Sequence, residues 1–458
     1  MFNDTISAIS TAKGKGGVAM IRISGADALS ILKRVFLPFG KGECPFEPRK
    51  CYYVRIIRDG VSIDDVTATY FKAPASYTGE DVCEICCHGG LYVTQAVLEV
   101  VLSNGARMAN AGEFTRRAYI NGKLTLTRAE AVGLVIDATN DAQLRLSASL
   151  QRGTLTKKLD ALKGEYLDLI ARAYVVVDYP DEELPQLERD EMRERLEKIL
   201  FELEKLKTSH RASRAVCEGI TTAIVGRPNA GKSSLYNALS GEDLAIVTDI
   251  AGTTRDVIEH SVSVGDVTLR LFDTAGIRET LDTVEKIGVD RAKQKLDEAE
   301  LVLCVFDASE AENDEDALIL SLAQDKSVIA IINKTDAERG MSEAFEKQIK
   351  EKISRVIYMS VRDGQGLDEL ARTLAQMYAL DEISLSNDAV ILGARQASSV
   401  KLALEKTSEA MALLRIGESP DIVCFALEEA LASIEQIDAR GISEQIVDQI
   451  FSRFCVGK

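Results

Sequence analysis

The densest chemistry in this 458-residue chain lies in Gly226-Arg227-Pro228-Asn229-Ala230-Gly231-Lys232-Ser233-Ser234, which fits the pattern GxxxxGK[ST]. Glycines at the first and sixth positions let backbone N–H groups turn inward around phosphate oxygens. Lys232 brings positive charge to a β- and a γ-phosphate, and Ser233 brings a hydroxyl suited to Mg²⁺. Three further stretches stand in register with it. Asp273-Thr274-Ala275-Gly276 follows the apolar run Val267–Phe272, which would set Asp273 near the Mg²⁺ through water and the Gly276 N–H beside the γ-phosphate. Asn333-Lys334-Thr335-Asp336 follows the apolar run Val328–Ile332, and a carboxylate at Asp336 accepts from guanine N1–H and N2–H, which adenine does not offer. Asn333 and Lys334 would brace the base. Between the first two stretches lies Thr248-Asp249-Ile250-Ala251-Gly252-Thr253-Thr254-Arg255-Asp256, a loop that places Thr254 to ligate the same Mg²⁺. All four in this order predict a guanine-nucleotide site.

The residue after Gly276 is Ile277, where Ras-like enzymes carry a glutamine that orients water. An isoleucine cannot do this. Either another polar group serves, with Glu279, Asp282 and Glu285 as candidates, or the site is a slow switch that waits for an external activator. Arg227 is equally consistent with pointing toward the phosphates or outward.

Elements must hold these residues in place. The apolar runs Ala223–Val225, Val267–Phe272, Leu301–Phe306, Val328–Ile332 and Arg355–Met359 alternate with helical patterns, which predicts a mostly parallel sheet with helices on both faces over 216–380. The run Ala223–Val225 would feed the phosphate loop and Ser234–Leu239 would continue as its helix. Residues 1–120 read as strand-rich and mixed, with Val18–Ile23, Cys51–Ile57 and Val66–Phe71 as strands. Helical periodicity dominates 121–215 and returns over 381–458, with a charged helix expected to end near Leu206. The expectation is a multidomain α/β and α+β protein: a strand-rich N-terminal domain, then a helical domain into which a Ras-like P-loop domain is inserted.

The hydrophobic fraction of 46% and charged fraction of 28% exclude fibrous and disordered classes. No apolar run approaches the ~18 residues of a spanning helix, and the first ten residues carry no export pattern, so a cytoplasmic protein is expected. A net charge of −17 argues against unaided nucleic-acid binding. The basic cluster Arg107, Arg116, Arg117, Lys123 and Arg128 is the best candidate for a local RNA patch, with a ligand or dimer role equally open. Nine cysteines, an odd number without paired zinc-type spacing, read as reduced thiols, with Cys83, Cys86 and Cys87 as small buried hydrophobes.

The phosphate loop joined to Ala245-Ile-Val-Thr-Asp-Ile-Ala-Gly-Thr-Thr-Arg-Asp256 resembles the MnmE (TrmE) family of tRNA-modification GTPases. The N-terminal part is similar to that family in Gly16-Gly-Val-Ala-Met-Ile-Arg22-Ile-Ser-Gly, Tyr77-Thr-Gly-Glu-Asp-Val, His88-Gly-Gly and Ala111-Gly-Glu-Phe-Thr-Arg-Arg-Ala-Tyr119. The tail is similar in Cys455-Val-Gly-Lys458. The resemblance covers the whole chain; the thiol cluster at Cys83–Cys87 departs from it. It implies a homodimer that hydrolyses GTP with Mg²⁺ and K⁺ and acts with the FAD protein MnmG. The product is an aminomethyl or carboxymethylaminomethyl group on C5 of the wobble uridine (position 34) of certain tRNAs, with the carbon drawn from a 5-formyl or 5,10-methylene tetrahydrofolate. By motif position it assigns Ser233 and Thr254 to Mg²⁺, and Asn229, Thr248, Ile250 and Thr253 to K⁺. It assigns Glu285 to orientation of the attacking water, and Arg22, Glu84, Lys123 and Lys458 to folate; Cys455 is a further candidate. The alternative is a ribosome-associated or assembly GTPase switch, which would need neither the folate-like region nor the tail.

Overall fold

A computed structural model describes residues 4–39, 44–178, 189–241, 259–272, 298–322, 326–437, 444–452 and 454–457. The chain divides into two compact units, one of residues 1–133 with 438–458 and the other of residues 134–437.

The first unit is built on a seven-stranded sheet in the order β3-β4-β5-β6-β2-β1-β7. Its strands are β1 (Ile6–Ile9), β2 (Val18–Ser24), β3 (Phe36–Pro38), β4 (Cys51–Arg58), β5 (Val61–Phe71), β6 (Val82–His88) and β7 (Arg107–Met108). All neighbours are antiparallel except β1 and β7. Side chains alternate across the sheet, and one face supplies Ile21, Ile23, Val54, Ile56, Cys83, Ile85 and Cys87 to a buried core. Helices α1 (Ala28–Val35) and α2 (Leu91–Ser103) cover that face. In α1 the buried residues Ala28, Ile31, Leu32 and Val35 follow the i, i+3, i+4, i+7 stripe of a one-sided helix. On the other face, Ile6 and Ala8 meet Ala109, Tyr77 and Phe114, the last from α3 (Glu113–Ile120). Helix α4 (Leu126–Asp137) follows. The tail packs within this unit, where Phe451 lies in one cluster with Leu126 and Ala129.

In the second unit, the helical stretch that begins in the first unit continues as separate helices. Asn140 caps α5 (Asp141–Gln151) by accepting from the Gln143 N–H. Gly153, at φ 75°, turns the chain into α6 (Thr154–Asp178). Helix α7 (Arg189–Cys217) runs past Leu206, because buried Ser209, Ala212, Ala215 and Val216 extend its apolar stripe.

A six-stranded sheet of order β13-β12-β11-β8-β10-β9 comes next. It contains β8 (Ile220–Val225), β9 (Glu259–Val264), β10 (Val267–Phe272), β11 (Leu301–Asp307), β12 (Ser327–Asn333) and β13 (Val356–Tyr358). It is parallel except for β9, an antiparallel edge strand that the apolar runs do not reveal. Leu301, Leu303 and Val305 enter a core with α8 (Lys232–Ser240), while Val302, Cys304 and Phe306 enter the opposite one. Helices α9 (Asp314–Leu322) and α10 (Glu343–Lys352) serve that second core, and α11 (Leu367–Met377) the first. Such two-sided burial is what the unbroken apolar runs call for. The chain then returns through α12 (Ala394–Ile416) and α13 (Pro420–Ile437), which pack on α7 and α6 respectively, so helices from either side of the inserted sheet form one layer.

Candidate functional site

The phosphate loop spans the gap between the C-terminal end of β8 and the N-terminus of α8, where a helix dipole and unpaired N–H groups favour an anion. Two glycines are obligatory there. A Cβ on Gly226 would lie 2.4 Å from the Val305 carbonyl oxygen. One on Gly231, whose φ is 99°, would lie 2.1 Å from Asn333 Nδ2. The Lys232 ammonium donates to the Gly226 and Arg227 carbonyls at 2.7 Å each, and burial lowers its pKa. Ser233 stands exposed in the first turn of α8. Asn229, at φ 63°, is exposed, and its side chain bonds to none of the described residues.

The base-reading stretch is fastened to this loop. Asn333 Nδ2 donates to the Ala230 carbonyl at 3.0 Å, while Asn333 Oδ1 accepts from the Val361 N–H at 3.3 Å. The Lys334 ammonium lies 2.6 Å from Asp307 Oδ2 at the end of β11. Burial pushes the Asp307 carboxyl up, but Lys334 and Ser309 outweigh it and hold it below the usual range. The Thr335 N–H donates to the Met359 carbonyl at 3.3 Å, and exposed Asp336 accepts from the Ser360 hydroxyl at 2.8 Å. Ser360 and Asp307 were not legible as site residues. Their only signals are their places, directly after an apolar strand and at the end of another.

Arg227 is settled by the structure. It is 6% exposed and turned into the protein, donating to Asp316 Oδ2, Glu310 Oε2 and the Ala311 carbonyl. Thr248–Thr254, Asp273–Gly276, Ile277, Glu279, Asp282, Glu285 and Lys458 lie outside the described residues.

A second constellation sits in the first unit. Arg22 of β2 and Glu84 of β6 are direct cross-strand partners. The guanidinium donates to Glu84 Oε1 from Nε at 3.0 Å and from Nη2 at 2.8 Å, and it lies over the rings of Tyr77 and Phe114. At 17% side-chain exposure, Arg22 is not a charge on a solvated strand face. Lys123 reaches the loop that carries Tyr77, donating to the Pro74 carbonyl at 2.9 Å. The tail comes to the same sheet. The Gly112 N–H donates to the Cys455 carbonyl, Val456 bridges to Ala111, and the Ser10 hydroxyl donates to the Gly457 carbonyl at 3.0 Å. Ser10 is two residues beyond Ala8, the β1 partner of Arg22. Arg22 and Glu84 are thus in contact, and Lys123 and the tail lie in the same unit, while the Cys455 side chain is exposed. Cys83 and Cys87 are buried in the sheet core and Cys86 is half-buried; burial raises the pKa of all three thiols.

Three members of the basic cluster are paired with carboxylates of the same unit. Arg117 is fully buried and pairs with Asp4, Glu80 and Glu113. Arg107 pairs with Asp4 and Glu113, Arg116 with Asp448, and Lys123 with the Pro74 carbonyl. Among the described residues no group of three or more His, Cys, Asp or Glu side chains is arranged to hold a metal ion, and no helix is long and apolar enough to cross a membrane.

Two family descriptions match the chain: "GTP-binding protein TrmE N-terminus" over residues 5–123 and "MnmE helical domain" over residues 126–455. The chain is 37% identical to the tRNA modification GTPase MnmE of Carboxydothermus hydrogenoformans over 461 residues, covering 100% of both chains. It is 37% identical to that of Clostridioides difficile, covering 100% of this chain and 99% of the other. Among solved structures, the G domain of the T. maritima FeoB iron transporter aligns with 35% of this chain and 98% of its own, at 26% identity and a TM-score of 0.26.

Proposed function

The chain belongs to the MnmE (TrmE) family of tRNA-modification GTPases, and from that premise we propose that it couples GTP hydrolysis to modification of the wobble uridine of certain tRNAs. It acts as a homodimer with the FAD protein MnmG. Together they place an aminomethyl or carboxymethylaminomethyl group on C5, with a tetrahydrofolate derivative as carbon source. The observation that carries the nucleotide part is Asn333, which ties the phosphate loop to the base-reading stretch.

The reading assigns a role to each residue of the site. The N–H groups of 229–234 at the α8 N-terminus cradle the phosphates, and Lys232 exchanges its two loop carbonyls for phosphate oxygens. Asp336, held by Ser360, reads the guanine edge. The exposed Ser233 hydroxyl suits Mg²⁺, with Thr254 as its expected companion, and the exposed Asn229 side chain, which bonds to none of the described residues, suits K⁺, with Thr248, Ile250 and Thr253 as the companions that the family resemblance implies. When bound, these cations neutralise charge on the phosphates. Glu285 orients the attacking water in place of Ile277.

Arg22 and Glu84, flanked by the Tyr77 and Phe114 rings, offer an adjacent donor and acceptor beside aromatic surface, which suits a pterin. Lys123 and Lys458 suit the carboxylates of its tail. Since Arg107, Arg116 and Arg117 of the basic cluster are paired with carboxylates and the chain carries a net charge of −17, tRNA is held mainly through the partner.

The test of the folate assignment is the melting temperature of the full chain with 5-formyl-tetrahydrofolate. A rise of several degrees in the parent and none in Arg22→Ala is expected. Equal rises in both would remove Arg22 from the site, and no rise in the parent would remove folate.

A further inference from the structure

We infer that Arg227 is a positioning residue for guanine-nucleotide binding, acting through Asp316 to hold the phosphate loop against the segment that also holds the base-reading lysine. The inference rests on 226–234 being the nucleotide loop.

The geometry is a brace with two ends. At one end, the Arg227 side chain leaves the second position of the loop and enters the protein. There it donates to the Ala311 carbonyl at 2.9 Å, to Asp316 Oδ2 at 3.2 Å and to Glu310 Oε2 at 3.0 Å. Asp316 is itself fixed at the start of α9: its Oδ2 accepts from the Asn313 N–H, and its own N–H donates to Asn313 Oδ1. At the other end of the same ten residues, Asp307 holds Lys334 and is locked by the Ser309 N–H and hydroxyl. Residues 307–316 thus reach both the phosphate loop and the base-reading stretch.

Lys232 draws on the backbone carbonyl of the very residue whose side chain is anchored in the opposite direction. With Arg227 fixed, the Gly226 and Arg227 carbonyls point at Lys232 before nucleotide arrives, so less loop ordering has to be supplied by binding. Arg227 cannot at the same time extend a guanidinium to the phosphates, so its contribution is to the loop's shape.

Asp316 is 3% exposed, and its Oδ1 has no hydrogen-bond partner among the described residues. Removing the arginine alone therefore strands a buried carboxylate, which destabilises the fold whatever the loop does. Removing both partners relieves that penalty and isolates the effect on the loop.

The experiment measures melting temperature and the dissociation constant of N-methylanthraniloyl-GDP on the full chain. Arg227→Ala should melt lower and bind at least about 10-fold more weakly. Arg227→Ala with Asp316→Ala should regain most of the melting temperature while binding stays at least about 10-fold weak. Arg227→Lys, a point charge that cannot span three acceptors, should fall between the parent and Arg227→Ala in affinity. Binding within twofold of the parent in Arg227→Ala, or a double variant that regains stability and affinity together, would overturn the inference. A parent that does not bind the probe would instead overturn the assignment of the loop.

Discussion

The Ser360 hydroxyl donates to Asp336 Oδ1 at 2.8 Å, so the carboxylate proposed to read the guanine edge is oriented by the segment after the last strand of the sheet. Selectivity should respond to both partners. Asp336→Asn exchanges an acceptor pair for a donor and should shift preference from guanosine to xanthosine nucleotides. Ser360→Ala leaves the carboxylate in place but unguided, and should weaken GTP about 10-fold, the value of one hydrogen bond to a charged group. Competition of GTP and XTP for the bound probe measures both; unchanged GTP affinity in Asp336→Asn would refute the assignment of the base.

Gly231→Ala should abolish nucleotide binding. The new methyl meets Asn333 Nδ2 at 2.1 Å, and φ 99° is unfavourable to any residue with a Cβ. The clash falls on the contact that joins the two halves of the site, so a titration with labelled GDP should show no saturation while the far-ultraviolet circular dichroism of the chain is retained.

Hydrolysis should require K⁺. No arginine among the described residues of the loop is free to reach the phosphates, since Arg227 is engaged elsewhere, and Ile277 cannot orient water. Turnover in KCl should exceed turnover in NaCl of equal ionic strength by at least tenfold. Glu285→Ala should cut the rate by about two orders of magnitude and leave GTP affinity nearly intact. Equal rates in the two salts would take the cation out of the mechanism.

The buried charge network around Arg117 should make the N-terminal unit acid-sensitive. Burial pushes the Glu113 carboxyl up, but Arg107, the Asn110 N–H and Arg117 more than offset it, so it lies below its ordinary 4.5. A lowered folded value means stability that is complete above the ordinary value and lost as pH falls through the folded one. Glu113→Gln should therefore lower the melting temperature at pH 7, with the difference shrinking as pH falls below about 4. Arg117→Ala removes a fully buried partner of Glu80 and Glu113 and should cost about 3–5 kcal/mol at pH 7 in denaturant unfolding.

What could be read in advance follows from where the constraint lies. The loop 226–234 and the stretch 333–336 were legible because backbone geometry and base chemistry admit few residue types there. Parallel strands such as β11 were legible because both faces are buried and the sequence is apolar throughout. β9 was not, since an edge strand reading Glu-His-Ser-Val-Ser-Val carries no such run. The break at Asn140 was hidden because a cap is one polar residue within an otherwise helical pattern. The pairing inside the basic cluster was hidden for a different reason. Local charge counting cannot see that Asp4, 113 residues from Arg117, and Asp448, beside Arg116, pair with those arginines in three dimensions. Ser360 and Asp316 act only through other side chains, which no motif records.

The hydrogen bond from Ser10 to Gly457 joins residues 447 positions apart. A ribosome adding roughly 5–20 residues per second makes the second of them about 20–90 s after the first. This contact of the N-terminal unit therefore closes only after the whole inserted sheet has been made. Throughout that interval the edge at Ile9 and Ser10, the notch at Gly112 and the apolar faces of Leu126 and Ala129 wait without the segment that covers them. A chain cut short of Phe451 would carry the whole inserted sheet but lack the segment that meets Ser10, Ala111, Leu126 and Ala129 in the N-terminal unit.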